Sequence, residues 1–236
     1  MYHYFDEKDA LYQMRAFSGK LMQALCHRLK ADHDIGANFC LVGSGAKNLI
    51  LQNEKEPVDL DYNLEIVRCV DFNDCRYLKE CARKSFNTCL QLAGLQSCED
   101  STSALTSKLI PLRSSHHTSF SIDICIIRRG SGSEYFRLIH EKTGWTSADR
   151  YHWDLAPRSK ELKGKVTYIK KHGKWELVRR QYLSIKNNYL TSNDLAHHPS
   201  FICYLEAINN VYHEIHTTQG PTVREGRKNV AVKIML

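Results

Sequence analysis

The segment from Phe39 to Glu65, FCLVGSGAKNLILQNEKEPVDLDYNLE, constrains this chain more than any other part of it. Its pattern predicts a strand, a glycine-serine turn, a short helix and a second strand. Because side chains alternate between the faces of a strand, Asp59 and Asp61 project side by side from a strand whose other face is apolar. Two such carboxylates repel each other and lose hydration. A divalent cation is the usual compensation, since Mg²⁺ binds carboxylate oxygens together with substrate phosphates.

A third acidic residue lies in the middle of an apolar segment, HTSFSIDICIIR, from His117 to Arg128. The alternation predicts a strand with isoleucines on one face and Asp123 on the other. A single aspartate in a strand is more often structural, bonded to a loop or to an arginine. Because this one follows the pair Asp59 and Asp61, we interpret it as a third metal ligand on a strand that neighbours theirs.

The composition indicates a globular protein without a membrane partner. The chain has 236 residues, of which 42% are hydrophobic and 25% charged, ordinary values for a folded domain. It contains no run of about 18 apolar residues, and its amino terminus lacks the basic and apolar regions of a signal peptide. The nine cysteines include no C-x-x-C pair, which favours reduced thiols over a zinc site. We therefore expect a cytoplasmic protein.

The spacing of apolar residues predicts an α/β (α+β) fold: a mixed β-sheet core flanked by helices, with a small carboxy-terminal helical region. Residues 1–156 are predicted to form the core, and residues 157–236 a basic segment with the helical region. Segment 144–157 is predicted to be irregular, 101–112 is ambiguous and ends in a strand near Pro111, and the final VAVKIML is predicted to be a strand. Helices are predicted at 7–30, 71–96, 175–190 and 200–216, and strands at 37–42, 117–128 and in EYFRLIHEK.

The net charge of +7 is unevenly distributed, because lysine and arginine are concentrated between Arg158 and Arg180. Such a segment attracts triphosphate or nucleic acid. It is equally well interpreted as a solvated basic loop and the start of a helix. The sequence alone does not decide between these two.

The motifs, taken in order, resemble the nucleotidyltransferase superfamily typified by DNA polymerase beta, and most of all a minimal bacterial or phage-type member. The family pattern is a hydrophobic strand, Gly-Ser, about a dozen residues, acid-hydrophobic-acid, and a third acid on a later strand. The resemblance covers roughly residues 37 to 128. The matching residues are Val42, Gly43 and Ser44, then Asp59, Leu60 and Asp61, then Asp123.

The resemblance implies a catalytic and metal-binding trio, Asp59, Asp61 and Asp123, that holds Mg²⁺, as two ions, with Mn²⁺ as an alternative. By the same analogy Gly43 lets the backbone approach the nucleotide triphosphate, and Ser44 offers its hydroxyl. Lys47, one turn into the helix, is either a charge contact to the phosphates or a solvated surface lysine.

The implied activity is transfer of a nucleoside monophosphate from a nucleoside triphosphate to an unidentified hydroxyl acceptor, with release of pyrophosphate. The acceptor candidates are RNA, a small hydroxylated molecule, another nucleotide and a protein side chain. A catalytically silent relative that binds nucleotide or RNA is the alternative. A P-loop ATPase, a dinucleotide-binding Rossmann site and a protein kinase are excluded, because their glycine and lysine spacings are absent.

Overall fold

The computed structural model describes residues 1–112, 118–132, 134–156, 160–191 and 199–218. Strands in these ranges are β1 (Tyr2–Tyr4), β2 (Gly36–Leu41), β3 (Leu51–Asn53), β4 (Val58–Arg68), β5 (Glu99–Asp100), β6 (Leu105–Thr106), β7 (Ile110–Pro111), β8 (Ser119–Arg129), β9 (Tyr135–Glu141) and β10 (Arg150–Leu155). Helices are α1 (Lys8–His33), α2 (Gly43–Lys47), α3 (Cys75–Leu92), α4 (Lys160–Lys171), α5 (Trp175–Thr191) and α6 (Ser200–Thr218).

The main sheet has the strand order β10-β9-β8-β4-β2, and its two longest strands, β4 and β8, are parallel neighbours. The other pairings in this sheet are antiparallel, including those of the short strands β6 and β7 with β8. Since β4 occupies one edge of β8 along most of its length, β6, β7 and β9 share the other edge. The result is a mixed sheet, as the sequence predicts.

One face of this sheet is buried beneath α1 and α3. Alternate residues of β4 and β8 point into this core, whereas the acidic residues of both strands point away from it. The sheet is held to the helices by hydrophobic burial, at roughly 25 cal/mol per Å² of apolar surface. The core is made by Met14, Leu25, Leu29, Leu60, Leu64, Leu78, Ala82, Phe86, Phe120, Ile122, Ile124 and Ile126.

A second core lies among α4, α5 and α6. It includes Leu49, which follows α2, and partly buried Tyr4 and Leu51 from the small β1–β3 sheet pack against it. The apolar side chains at its centre are Ile169, Val178, Tyr182, Ile185, Cys203, Tyr204, Ala207, Ile208, Val211 and Ile215. The helical region is therefore joined to the rest of the chain by β1, which precedes α1, and by Leu49 and β3, which follow α2.

Most predicted elements are confirmed, and one prediction is wrong. The segment 144–157 contains strand β10, which pairs with β9. It escaped prediction because it lacks a run of alternating apolar residues: only Tyr151 and Trp153 pack on the core, and the other residues of β10 are exposed. The basic segment, for which a solvated loop with the start of a helix is one of the two interpretations left open by the sequence, contains helix α4, since Leu162, Val166 and Ile169 bring apolar contacts to the second core at helical spacing. The predicted strand VAVKIML lies outside the described residues.

None of the helices in the described ranges is both long and apolar enough to cross a membrane. The nine cysteines all lie in those ranges and form no disulfide. Cys75, Cys81 and Cys89 are buried along α3, so they are packed as small apolar residues.

Candidate active site

The parallel pairing of β4 and β8 brings two of the three predicted acids together. Asp61 lies directly opposite Asp123, and Asp59 lies opposite Ser121. Each acid is on the face of its strand that points away from the core, and Asp61 and Asp123 are half-buried. The predicted neighbouring strands are confirmed, so the three carboxylates share one small area of the sheet.

The glycine turn packs directly on Asp61. Gly43 has a φ of +60°, a conformation that favours glycine. A Cβ built on Gly43 would lie 2.8 Å from Cγ of Asp61 and closer still to Oδ2, so a side chain here would displace the carboxylate. The backbone N–H of Val42 donates to the carbonyl of Asp61 at 2.8 Å, which fixes the turn to the strand.

Lys47 is half-buried between the turn and the helical region. Its Nζ donates to the carbonyl of Gly43 at 2.9 Å and lies 5.2 Å from the ring centroid of Tyr204. Burial lowers the pKa of Lys47, the negative charge of Asp61 opposes this shift, and the positive charge of Lys170 adds to it. Lys47 is therefore only partly exposed to solvent, and it lies close enough to Asp61 for that charge to act on its pKa.

Ser44 is the second residue of α2, which is a single turn of helix. It is half-buried, and its carbonyl accepts from the N–H of Leu49 at 3.0 Å. Asn48 ends the helix in the left-handed conformation, with a φ of +58°. The short helix therefore turns the chain at once into the second core, so Gly43, Ser44 and Lys47 stay beside the acids.

The acids carry the electrostatic cost that their proximity implies. Burial raises the pKa of Asp61 to about 6, and the charges of Asp123 and Asp59 add to the shift, opposed by Lys47. Burial also raises the pKa of Asp123, although a hydrogen bond from Thr106 opposes this. The Oδ1 atom of Asp123 is buried without a hydrogen-bond partner. A cation here would neutralise the repulsion and satisfy this oxygen.

Asp59 is turned toward its neighbour on β8, because the hydroxyl of Ser121 donates to Asp59 Oδ1. As the side chains stand, no three His, Cys, Asp or Glu groups among the described residues converge closely enough to hold a metal ion. Asp61 and Asp123 fit a cation by their position and by the bare Oδ1. For Asp59 to bind the same cation, its carboxylate has to give up the hydrogen bond from Ser121 and turn toward Asp61.

Sequence reasoning gave no role to Ser121 and Thr106, whose side chains form hydrogen bonds with the carboxylates of Asp59 and Asp123. Ser121 stands two residues before Asp123 on the same face of β8, and Thr106 is the cross-strand neighbour of Asp123. The alternation of β8 shows that Ser121 shares the face of Asp123. The pairing of Thr106 depends on a two-residue strand, which leaves no recognisable sequence pattern.

The basic residues of α4 and α5 are partly engaged within the molecule. Lys165 Nζ donates to the side chain of Asn209 at 2.7 Å, and Arg179 pairs with Glu176 and stacks on Tyr4. Lys170 is close enough to Lys47 to lower the pKa of Lys47. Lys170 therefore lies near Lys47, whereas Lys165 and Arg179 contact other parts of the protein.

No protein-family model matches this sequence, and no curated protein matches it at a significant level. Solved structures do match. The CdnE cyclic dinucleotide synthase of Elizabethkingia meningoseptica, solved with GTP and Apcpp, superposes with a TM-score of 0.50 at 12% identity over 84% of this chain. CdnC of E. coli MS115-1, solved with ATP, gives 0.53 at 18% over 87%. The GTP-bound DncV of Vibrio cholerae gives 0.52 at 12% over 75%.

These matches define the class of fold. The mixed sheet with its flanking helices is the fold that these three structures share, so the fold expected from the sequence is confirmed. The present chain spans 69% of the CdnE chain, 61% of the CdnC chain and 45% of the DncV chain.

Proposed function

We propose that this protein is a metal-dependent nucleotidyltransferase that moves a nucleoside monophosphate from a nucleoside triphosphate to a hydroxyl acceptor. The observation that carries the proposal is the pairing of Asp61 with Asp123 across parallel strands, with the Gly43 turn packed on the Asp61 carboxylate. The two carboxylates and the glycine turn therefore lie side by side. Nucleotidyl transfer needs such a combination, with acidic metal ligands next to a turn that can hold phosphate.

Asp59, Asp61 and Asp123 are the residues that would hold Mg²⁺, as two ions, or Mn²⁺ in its place. The metal, when bound, offsets the negative charge of the phosphoryl centre and of the attacking and leaving oxygens. Asp123, whose Oδ1 is unpartnered and whose pKa is raised, is the residue that we assign to the acceptor side, where it would accept the proton of the attacking hydroxyl.

The turn and Lys47 are assigned to the triphosphate of the donor. Gly43, without a side chain, lets the turn backbone pack against the Asp61 carboxylate, Ser44 supplies a hydroxyl, and the Lys47 ammonium lies between the turn and the helical region. Nucleotides bound to the structural neighbours, GTP, Apcpp and ATP, support a triphosphate donor here.

Among the four acceptor classes, we favour another nucleotide. The CdnE neighbour is a cyclic dinucleotide synthase, and such a product requires that the hydroxyl of one nucleotide attack the α-phosphorus of another. The direct check is incubation with the four ribonucleotide triphosphates, singly and in pairs, followed by mass spectrometry. A product containing two joined nucleotides and an equivalent release of pyrophosphate is the expected result.

Donor binding is tested first by thermal stability with each ribonucleotide triphosphate, in Mg²⁺ and in EDTA. A ligand at 100 times its dissociation constant stabilises by about 2.7 kcal/mol, which gives a clear melting shift. We expect a Mg²⁺-dependent shift that the Asp59→Asn/Asp61→Asn variant lacks. Asp154→Asn is the matched control, since this exposed carboxylate lies on edge strand β10, three positions from β4 in the sheet, and should keep the shift.

Three outcomes of these experiments would separate activity, metal binding and nucleotide binding. A shift without any pyrophosphate release under any pairing of nucleotides would identify the silent nucleotide-binding relative. A shift that is equal in EDTA and survives the double variant would contradict the metal site, and absence of a shift with all four triphosphates would contradict the donor site.

A further inference from the structure

A cavity lies near the end of β4 that is opposite to the acids. Its volume is about 480 Å³, within the range of small-molecule sites, and its lining includes Glu65, Val67, Phe72, Arg128 and Arg129. Val67 is six residues beyond Asp61, roughly 20 Å along the strand. The cavity is therefore separate from the candidate active site, and a ligand could bind in it whether or not the acids catalyse nucleotidyl transfer.

Arg128 is the unusual group in this cavity. Its guanidinium lies 5.1 Å from the ring centroids of both Phe136 and Trp153. Its Nε is buried without a hydrogen-bond partner, and among the described residues no carboxylate forms an ion pair with Arg128. By contrast, the adjacent Arg129 pairs with Glu65 at 3.2 Å.

The nearby acidic side chains are engaged elsewhere. Asp71 Oδ1 accepts from the backbone N–H of Asn73 at 2.8 Å, and Asp74 Oδ1 caps α3 by accepting from the N–H of Tyr77 at 3.0 Å. The charge of Arg128 reaches into this region, where it lowers the pKa of the Cys75 thiol against the larger effect of burial. A half-buried guanidinium without a paired anion is costly, and an external anion would remove that cost.

The rings around Arg128 are held in place. The indole Nε1 of Trp153 donates to the carbonyl of Phe72 at 2.6 Å. A Cβ at Gly130 would lie 2.6 Å from Cε2 of Phe136, so the absence of a side chain there lets this ring approach. The guanidinium is thereby presented in a fixed orientation, which lowers the entropy that a ligand's binding would cost.

We propose that this cavity binds a small molecule through an oxyanion, a carboxylate or a phosphate monoester, on Arg128, with an apolar part of the ligand against Phe72 and Val67. A planar guanidinium forms two parallel hydrogen bonds with either oxyanion. Val67 is half-exposed, at 50%, and Phe72 is partly buried, which gives the ligand an apolar wall beside the charge.

The experiment uses phenyl phosphate and benzoate as probes, with benzyl alcohol as the uncharged comparison. Binding is followed in the full chain by the indole N–H resonance of Trp153 in a ¹⁵N–¹H spectrum. We expect a saturable shift with a dissociation constant of about 1 mM or tighter for one or both anions and none for the alcohol. Comparison of phosphate with carboxylate identifies the source of the oxyanion.

Arg128→Gln removes the charge and should weaken binding at least tenfold. Arg128→Lys keeps the charge but lacks the planar pair of N–H donors of a guanidinium, and it should weaken binding several-fold. Arg76→Gln is the matched control: Arg76 also stacks on an aromatic ring, Tyr151 at 4.8 Å, but donates to two backbone carbonyls and should leave binding unchanged. The proposal is overturned if neither anion shifts the resonance at about 10 mM, or if Arg128→Lys binds as tightly as the unmodified chain.

Discussion

At the scale of single residues, Gly43 is the position where backbone conformation and the site depend on each other most directly. Its φ of +60° disfavours any other residue, and the space for a Cβ is filled by the Asp61 carboxylate. We expect Gly43→Ala to destabilise the protein by more than the cost of about 1 kcal/mol that the left-handed conformation alone carries. We also expect it to abolish the Mg²⁺-dependent shift with nucleotide, measured by thermal denaturation.

Gly94 provides the control for that substitution. It has a φ of +73°, but nothing lies within 4 Å of the Cβ that alanine would add. Gly94→Ala should therefore show only the backbone cost and keep nucleotide binding. If both variants lose the same stability and both still bind nucleotide, the contact between the turn and Asp61 has no functional role.

The second residue-scale prediction concerns the pH dependence of stability in the metal-free protein. The pKa of Asp61 is about 6 in the folded chain, above its ordinary value of 3.8, so the folded state binds this proton more tightly than the unfolded state. The contribution of Asp61 to stability is therefore fully present below about pH 4 and lost as the pH rises to 6. Above pH 7 the ionised carboxylate is a net cost.

Asp61→Asn should accordingly stabilise the protein in EDTA at pH 7.5, by about 1–2 kcal/mol after allowance for partial exposure of the side chain. The difference should disappear near pH 4, where both side chains are neutral. Urea denaturation at several pH values measures it. With Mg²⁺ and nucleotide the order should reverse, and an Asp61→Asn variant less stable than the unmodified chain in EDTA would contradict the pKa shift.

At the scale of elements, a buried network fixes the short strand β5 beside the sheet. Lys79, 1% exposed, lies 2.9 Å from Asp100 Oδ1, and burial lowers its pKa. His140 lies between Asp100, at 2.8 Å, and Asp149, at 3.0 Å. Strand β5 pairs with β6, and Thr106 of β6 forms a hydrogen bond with Asp123. The network therefore helps to hold the strand that contacts Asp123 in place.

Lys79→Met should cost about 3 kcal/mol or more, because it leaves Asp100 with one cation fewer in a buried position. Lys142→Met is the control, since Lys142 is exposed and contacts only the backbone carbonyl of Asp100; its cost should be within about 0.5 kcal/mol. Chemical denaturation of both variants gives the comparison, and equal costs would show that the network is not a stabilising unit.

Strands with a strong alternation of apolar and polar residues were predictable from the sequence, and strands without it were not. Strands β4 and β8 carry apolar residues at every second position because one of their faces is buried, and the same alternation placed Asp61 and Asp123 on the opposite face. Strand β10 pairs on one side only, and β5, β6 and β7 have two residues each, too few for a periodic pattern. The positions of Ser121 and Thr106 against the acids follow from strand pairing, which a single sequence does not specify.

At the scale of the whole molecule, the division at residue 156 is crossed by contacts from the amino terminus. Asn187 of α5 accepts from the N–H of Tyr2 at 2.7 Å and donates to its carbonyl at 3.1 Å. The hydroxyl of Tyr4 donates to the carbonyl of Arg179 at 2.6 Å, and Leu49 is buried in the second core. The helical region is thus built partly from residues of the predicted core domain.

We therefore expect the core predicted at 1–156 and the basic and helical region predicted at 157–236 to unfold together. A fragment of residues 1–156 would expose Leu49, together with Tyr4 and Leu51, without the helices that cover them. The hydrophobic surface so exposed should make the fragment aggregate or melt at a lower temperature than the full chain.

Calorimetry of the full chain should show one transition, whose calorimetric and van't Hoff enthalpies agree. Asn187→Ala, which removes both bonds to Tyr2, should lower that single transition by about 1–3 kcal/mol in stability without splitting it. Two resolved transitions, or a fragment that melts cooperatively at the temperature of the full chain, would instead establish independent domains.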